Sequence, residues 1–139
     1  MNITYDVPEV YRELIEERLN EVVEFFPSWC QDLYVEWDSA GDVEVILSCV
    51  PTYHYRNMTM TFTPNFLEKF SLRKHILHEI LHATLRPFSE AVDTALEHSG
   101  VDEQLGRYMY DTIRQKEESV VQDLSAILDK LLDTRDGQC

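Results

Sequence analysis

The hydrophobic period of this 139-residue chain changes twice, and that change limits it to few architectures. Val10, Tyr11, Leu14, Ile15, Leu19, Val22 and Phe26 recur at helical spacing, with Glu13, Glu16, Glu17, Arg18, Glu21 and Glu24 on the opposite side. Asp6-Val7-Pro8 starts this helix and Pro27 ends it. From Leu33 onward the period is two. Leu33, Val35 and Trp37 are followed by turn residues Ser39-Ala40-Gly41-Asp42 and then by Val43, Val45, Leu47 and Cys49, which reads as a hairpin. Beyond Pro51, Met58, Met60 and Phe62 share one face, and Asn57, Thr59, Thr61 and Thr63 the other, a pattern that suits an exposed edge strand. Helical spacing returns after Pro64. The spacing predicts a helix capped by Ser71 and running to about Arg86, a short helix from Ser89 to near Gly100, and a long helix from about Asp102 to Asp133, weakened at Gly106. A helix, about three strands and then helices is an α+β order. One domain over residues 1–133 with a disordered tail at 134–139 is the expected organisation.

Charge narrows the functional classes. Twelve Lys and Arg against 26 Asp and Glu give a net charge of −14. Such a surface is repelled by phosphate backbones and anionic membranes, so neither nucleic acid nor membrane is an expected partner. The N-terminus lacks the apolar core of a signal peptide, and no run approaches the roughly 18 apolar residues of a membrane span. Cys30, Cys49 and Cys139 form an odd set without CxxC spacing, as expected for reduced thiols in a cytoplasmic protein.

The chemistry concentrates in His78-Glu79-Ile80-Leu81-His82, an HExxH inside the second helix. Histidines four apart on a helix project from the same face one turn apart, within reach of one tetrahedral Zn²⁺. Glu79 then lies beside the ion, placed to take a proton from a bound water. The bland alternative is a helix whose histidines are satisfied in or near the core.

A catalytic zinc takes three protein ligands and a water. The downstream candidates are Glu90, Asp93, Glu97, His98, Glu117 and Glu118. On the last helix Ile113, Val120, Val121, Leu124, Ile127, Leu128 and Leu131 are apolar. With Leu124 as origin, the stripe extends from about −60° to about 60°; Glu117 falls at about 20°, inside it, and Glu118 at about 120°, outside it. A carboxylate in the middle of a core-facing stripe needs a compensating cation, so Glu117 is the expected third ligand, with His98 the runner-up and Glu97 and Glu90 behind. The bland reading of Glu117 is an ion pair with an arginine. His75, one turn before His78, reads as a surface histidine, and His54 as strand surface. Tyr108, Tyr110, Arg114 and Arg86 are the residue types able to stabilise an oxyanion, and none is singled out.

The stretch Lys74–Pro87 (KHILHEILHATLRP) resembles zincin metallopeptidases. More narrowly it is similar to small HExxH domains of phage and prophage genomes, the minimal metallopeptidases. Pro27-Ser28-Trp29-Cys30, the strand entering Pro64, and Glu117 with Val120-Val121 are also similar to that group. The resemblance implies a gluzincin-like arrangement: His78 and His82 on an active-site helix, a glutamate on the following long helix, and an antiparallel edge strand, here Met58–Thr63, to which a peptide substrate adds. The chain departs from larger gluzincins at Val121, where they carry a carboxylate that orients a ligand histidine, and it lacks the third histidine of metzincins.

The expected function is therefore zinc-dependent hydrolysis of peptide bonds, with His78, His82 and Glu117 holding the ion, Glu79 as general base, and a peptide or protein as substrate. The rival from another class is a weakly active or inactive interaction protein that keeps the fold and a structural metal. Hydrolysis of something other than a peptide is a third reading. Glu79 favours an enzyme, since a purely structural site needs the histidines but not the base.

Overall fold

The computed structural model describes residues 1–40, 47–68 and 72–137. The chain is α+β. Strands β1 (Asn2–Asp6), β2 (Asp32–Trp37), β3 (Leu47–Thr52) and β4 (Asn57–Phe62) form one mixed sheet, with helix α1 (Glu9–Asn20) between β1 and β2 and helices α2 (Leu72–Glu97) and α3 (Glu103–Gly137) after it. The strand order is β1-β2-β4-β3. β1 and β4 both run parallel to β2, and β3 is antiparallel to β4.

This order corrects three expectations. Among the described residues the sheet has four strands, because Asn2–Asp6 pairs with β2 in register from Asn2 opposite Asp32 to Asp6 opposite Glu36. β2 and β3 are not a hairpin; β4 lies between them. The strand ending at Phe62 is therefore central, and Leu47–Thr52 is the antiparallel edge. Burial explains the choice. Leu33 and Val35 of β2 stand opposite Met58 and Met60 of β4, and these four and Phe62 are all fully buried. Two strands with wholly apolar inner faces gain most by lying side by side in the middle of the sheet. β3 carries Pro51, which cannot donate to a ladder and is tolerated at an edge. The threonine-rich face of β4 is only half-buried, on the side away from the helices. Val43, Val45, the second half of the turn before them (Gly41 and Asp42) and Ser71 lie outside the described residues.

The core gathers Ile15, Leu19 and Val22 from α1 and the turn after it, the inner faces of β2 and β4, Phe66, and Leu72, Ile76, Leu77, Ile80 and Ala83 of α2. α2 thus packs on the sheet, and α3 packs on α2.

α2 is a single helix of 26 residues that continues through Pro87, in place of the two helices expected. Proline removes one i→i−4 hydrogen bond and crowds the carbonyl four residues back. The helix survives because α3 packs along both halves. Its continuation carries Ser89, fully within α2 and buried, to the same side as His82. Pro87→Ala should restore the missing bond without touching the sheet, and is expected to raise unfolding stability by about 1–2 kcal/mol, part of the helix-interior penalty being offset by the stiffer unfolded chain of the parent. Urea denaturation measures this; an unchanged or lower midpoint would mean the packing requires the proline.

α3 is capped by Asp102, whose carboxylate accepts from the Leu105 N–H at 2.8 Å, and it passes through Gly106 unbroken. The segment from Thr134 was expected to be disordered, yet α3 extends to Gly137. Arg73 of α2 supplies the reason. Its guanidinium grips Asp129 at 2.7 Å, Asp133, and Asp136 at 3.3 Å, and Arg135 pairs with Glu24 at 2.7 Å. Among the described residues, no helix is long and apolar enough to cross a membrane.

Candidate metal centre

His78 and His82 leave α2 one turn apart, on the side that faces α3. Their Nε2 atoms are 3.1 Å apart. Glu118 on α3 bridges them, Oε1 at 2.8 Å from His78 Nε2 and Oε2 at 2.8 Å from His82 Nε2. Among the described residues, His78, His82 and Glu118 are the group whose potential ligand atoms all lie within 4.8 Å of one another.

Glu117, the ligand expected from periodicity, is placed elsewhere. Its Oε1 lies 3.1 Å from His82 Nδ1, the other nitrogen of the ring. Its Oε2 accepts from Ser89 Oγ at 2.8 Å and from Arg114 at 3.2 Å, and Arg114 in turn pairs with Asp93 at 2.7 Å. Burial pushes the Glu117 carboxyl up, but the hydrogen bonds from Ser89 and His82 and the charge of Arg114 outweigh it and hold the group below the usual glutamate range. An ionised carboxylate only accepts, so the shared proton sits on His82 Nδ1. In that tautomer the other nitrogen, Nε2, is the one turned toward Glu118.

The donor set fits a cation. With the His82 proton on Nδ1, a ring lone pair and a carboxylate oxygen stand 2.8 Å apart, which only a proton or a metal ion between them relieves. Burial lowers the His78 pKa, with His82 and Lys74 adding to the effect and Glu118 opposing it, which favours the neutral ring that can ligate a metal. Ligands about 2.0–2.1 Å from a tetrahedral Zn²⁺ stand about 3.3 Å from each other. The two ring nitrogens, 3.1 Å apart, are close to that spacing, and with one atom taken from each residue the three potential ligand atoms lie within 4.8 Å of one another. Two imidazoles and a carboxylate are the chemistry of a zinc site with an open fourth position.

Glu79 is half-buried beside this cluster. Burial raises its pKa, with Glu118 adding to the rise and His82 opposing it. Edge strand β3 lies next to it: the Cys49 thiol is pushed up to about 12, first by burial and then by the Glu79 carboxylate. A pocket lined by Lys74, His75, His78, Glu79, Gln122 and Ser125 opens from the cluster.

The remaining candidates lie apart from this three-residue cluster. His98 and Glu97 are exposed at the far end of α2. Glu90 pairs with Arg86 at 3.0 Å and lies 3.5 Å from the exposed His54. His75 is exposed at the pocket rim. Arg114 is committed to Asp93 and Glu117 and lies against the Tyr110 ring at 4.9 Å, which removes it from the oxyanion candidates. The sequence names Ser89 only as the start of a short helix and Arg114 only as an oxyanion candidate; the structure makes both of them partners of Glu117, with Arg114 the arginine of the ion-pair alternative. Ser89 stands seven residues after His82, two turns along the same helix face, and the signal was hidden by treating Pro87 as a terminus.

No protein-family model matches the chain, and neither a curated protein nor a solved structure gives a significant match.

Proposed function

We propose that the protein is a zinc-dependent metallopeptidase of zincin-like build, with His78, His82 and Glu118 as the ligands. The observation that carries this reading is the convergence of both HExxH ring nitrogens and both Glu118 oxygens at 2.8–3.1 Å, with Glu79 alongside. An antiparallel edge strand next to the HExxH helix and a long helix that contributes a glutamate support the zincin-like comparison.

Bound in this cluster, zinc supplies a water whose pKa is lowered to about 7 and polarises a substrate carbonyl. The chain's own residues do the rest. Glu117 accepts the Nδ1 proton of His82 and so turns its Nε2 toward the ligand position, with Ser89 and Arg114 fixing Glu117 in place. Glu79 takes the proton from the water and passes it to the departing amine. Among the described residues β3 is hydrogen-bonded on one side only, to β4, so that an extended peptide can pair along its other side.

The test is elemental analysis of the purified protein together with cleavage of casein or a fluorogenic peptide library, with and without chelator. About one zinc per chain and chelator-sensitive cleavage are expected. Protein that binds zinc stoichiometrically yet cleaves nothing would favour the interaction-protein reading, and protein that binds no divalent metal would end both.

A further inference from the structure

Helix α3 carries two apolar faces, and among the described residues only one of them is covered. Val121, Ser125 and Leu132 are buried against the rest of the chain. Val120, Leu124, Ile127 and Leu131 are 50%, 42%, 53% and 59% exposed. Their spacing of four, three and four residues is the a/d repeat of a coiled-coil seam, wound about 110° round the helix from the buried line. The seam continues through Ile113 into a groove of about 390 Å³ between α2 and α3, where Leu85, Phe88 and Val92 add apolar surface. From Ile113 to Leu131 the strip is about 27 Å long. Singly scattered exposed side chains need no partner, but a continuous strip of this kind does.

We propose that this strip is the interface of a homodimer, in which α3 of one copy lies antiparallel on α3 of a second copy. Charge points to the occupant. The molecule carries −14 overall, yet the residues along the outer flank of the seam, Lys116, Asp123 and Lys130, carry both signs and sum to +1. Asp123 and Lys130 stand one heptad apart on the same flank, and neither has an ion-pair partner among the described residues. A two-fold axis near the middle of the seam makes four apolar layers: Leu124 on the partner's Ile127 and Val120 on the partner's Leu131, each twice. The same axis sets Asp123 beside the partner's Lys130, also twice, so the surface is complementary to itself, as an isologous contact demands. A parallel pairing lacks this, because it sets Asp123 against the partner's Leu128, which turns into the chain's own interior, and Lys130 against the partner's Arg135, a like charge. One helix pair of this length lies at the lower end of specific interface areas, so the dissociation constant is expected in the micromolar range.

Sedimentation velocity of the full chain between about 1 and 200 µM tests the proposal. The parent should pass from monomer to dimer across that range. Ile127→Asp, at an exposed position, should remain monomeric throughout while keeping the parent's circular dichroism; Leu131→Lys is the second such variant should the first fold poorly. Asp123→Lys should weaken association about tenfold, and adding Lys130→Asp to it should restore the parent's affinity, which only the antiparallel register predicts. A parent that stays monomeric at every concentration, an Ile127→Asp or Leu131→Lys variant that dimerises as the parent does, or a double charge swap without rescue would overturn it.

Discussion

Glu79→Gln is expected to bind zinc as the parent does and to lose at least about a thousandfold in peptide turnover, the loss of one group acting as both base and acid. The amide matches the carboxylate in shape but cannot accept the water's proton. Glu79 touches none of the three ligand atoms, so metal content should not change. The folding control has a definite sign. Burial raises the Glu79 pKa, which means the ionised form is the disfavoured one in the folded chain. That cost is present above the folded pKa and disappears as the pH falls below the unfolded value. At neutral pH the metal-free Gln variant should therefore be at least as stable as the metal-free parent by thermal unfolding. An active Glu79→Gln protein would remove the glutamate from the mechanism, and an inactive one that also melts earlier would leave the loss unexplained by proton transfer.

The chain's periods were sufficient for the class and for one half of the site. Alternation over Leu33–Trp37 and Met58–Phe62 marks the two strands that become the sheet's centre, and the HExxH sits on a helix with both rings on one face, as its spacing requires. Strand order was not legible. Alternation says which face of a strand is apolar, not which neighbour it takes, and the nearest run in sequence was the wrong partner for β2. β1 was missed because five residues with Ile3 and Tyr5 on one face carry too little pattern to stand out. Pro87 misled for a different reason: local chemistry disfavours a helix there, and packing against α3 overrides it.

The misplacement of Glu117 and Glu118 follows from α3 having two apolar faces. Averaging all of its apolar residues centres the stripe near Leu124. The residues that are buried, Val121, Ser125 and Leu132, lie at about 60°, 100° and 80° from Leu124. Four of the seven apolar residues of that stripe belong to the exposed seam and drew the mean direction away from the core. Measured from the true direction, near 80°, Glu117 at about 20° and Glu118 at about 120° flank the buried line on opposite sides. Both reach α2, one from each side of His82. The physical argument that a carboxylate within the buried stripe needs compensation held for Glu117, and Ser89, Arg114 and His82 Nδ1 provide that compensation without a cation.

Substitution separates the two roles. Glu118→Gln and Glu118→Ala should each weaken zinc binding by more than about a hundredfold, since either removes one of three anionic or imidazole ligands and its charge. Glu117→Gln should be mild, within a few-fold, because the amide oxygen can still accept from His82 Nδ1 and keep the ring's tautomer. Glu117→Ala, which frees the ring and leaves Arg114 facing a cavity, should cost about 10–100-fold, the range for losing a partner that orients a metal-bound histidine. Competition with a zinc-chelating dye at constant pH reads all four. The acid limb gives an independent check of Glu117. Its pKa is depressed, so its contribution to the fold is complete above the unfolded glutamate value and is lost as the pH falls through the folded one. Metal-free Glu117→Gln should accordingly lose stability relative to the parent at neutral pH, and the gap should narrow on acidification. If Glu117→Gln abolished zinc binding while Glu118→Gln left it intact, the two residues would exchange places, and the carboxylate on His82 Nδ1 would have to swing across the ring to reach the ion.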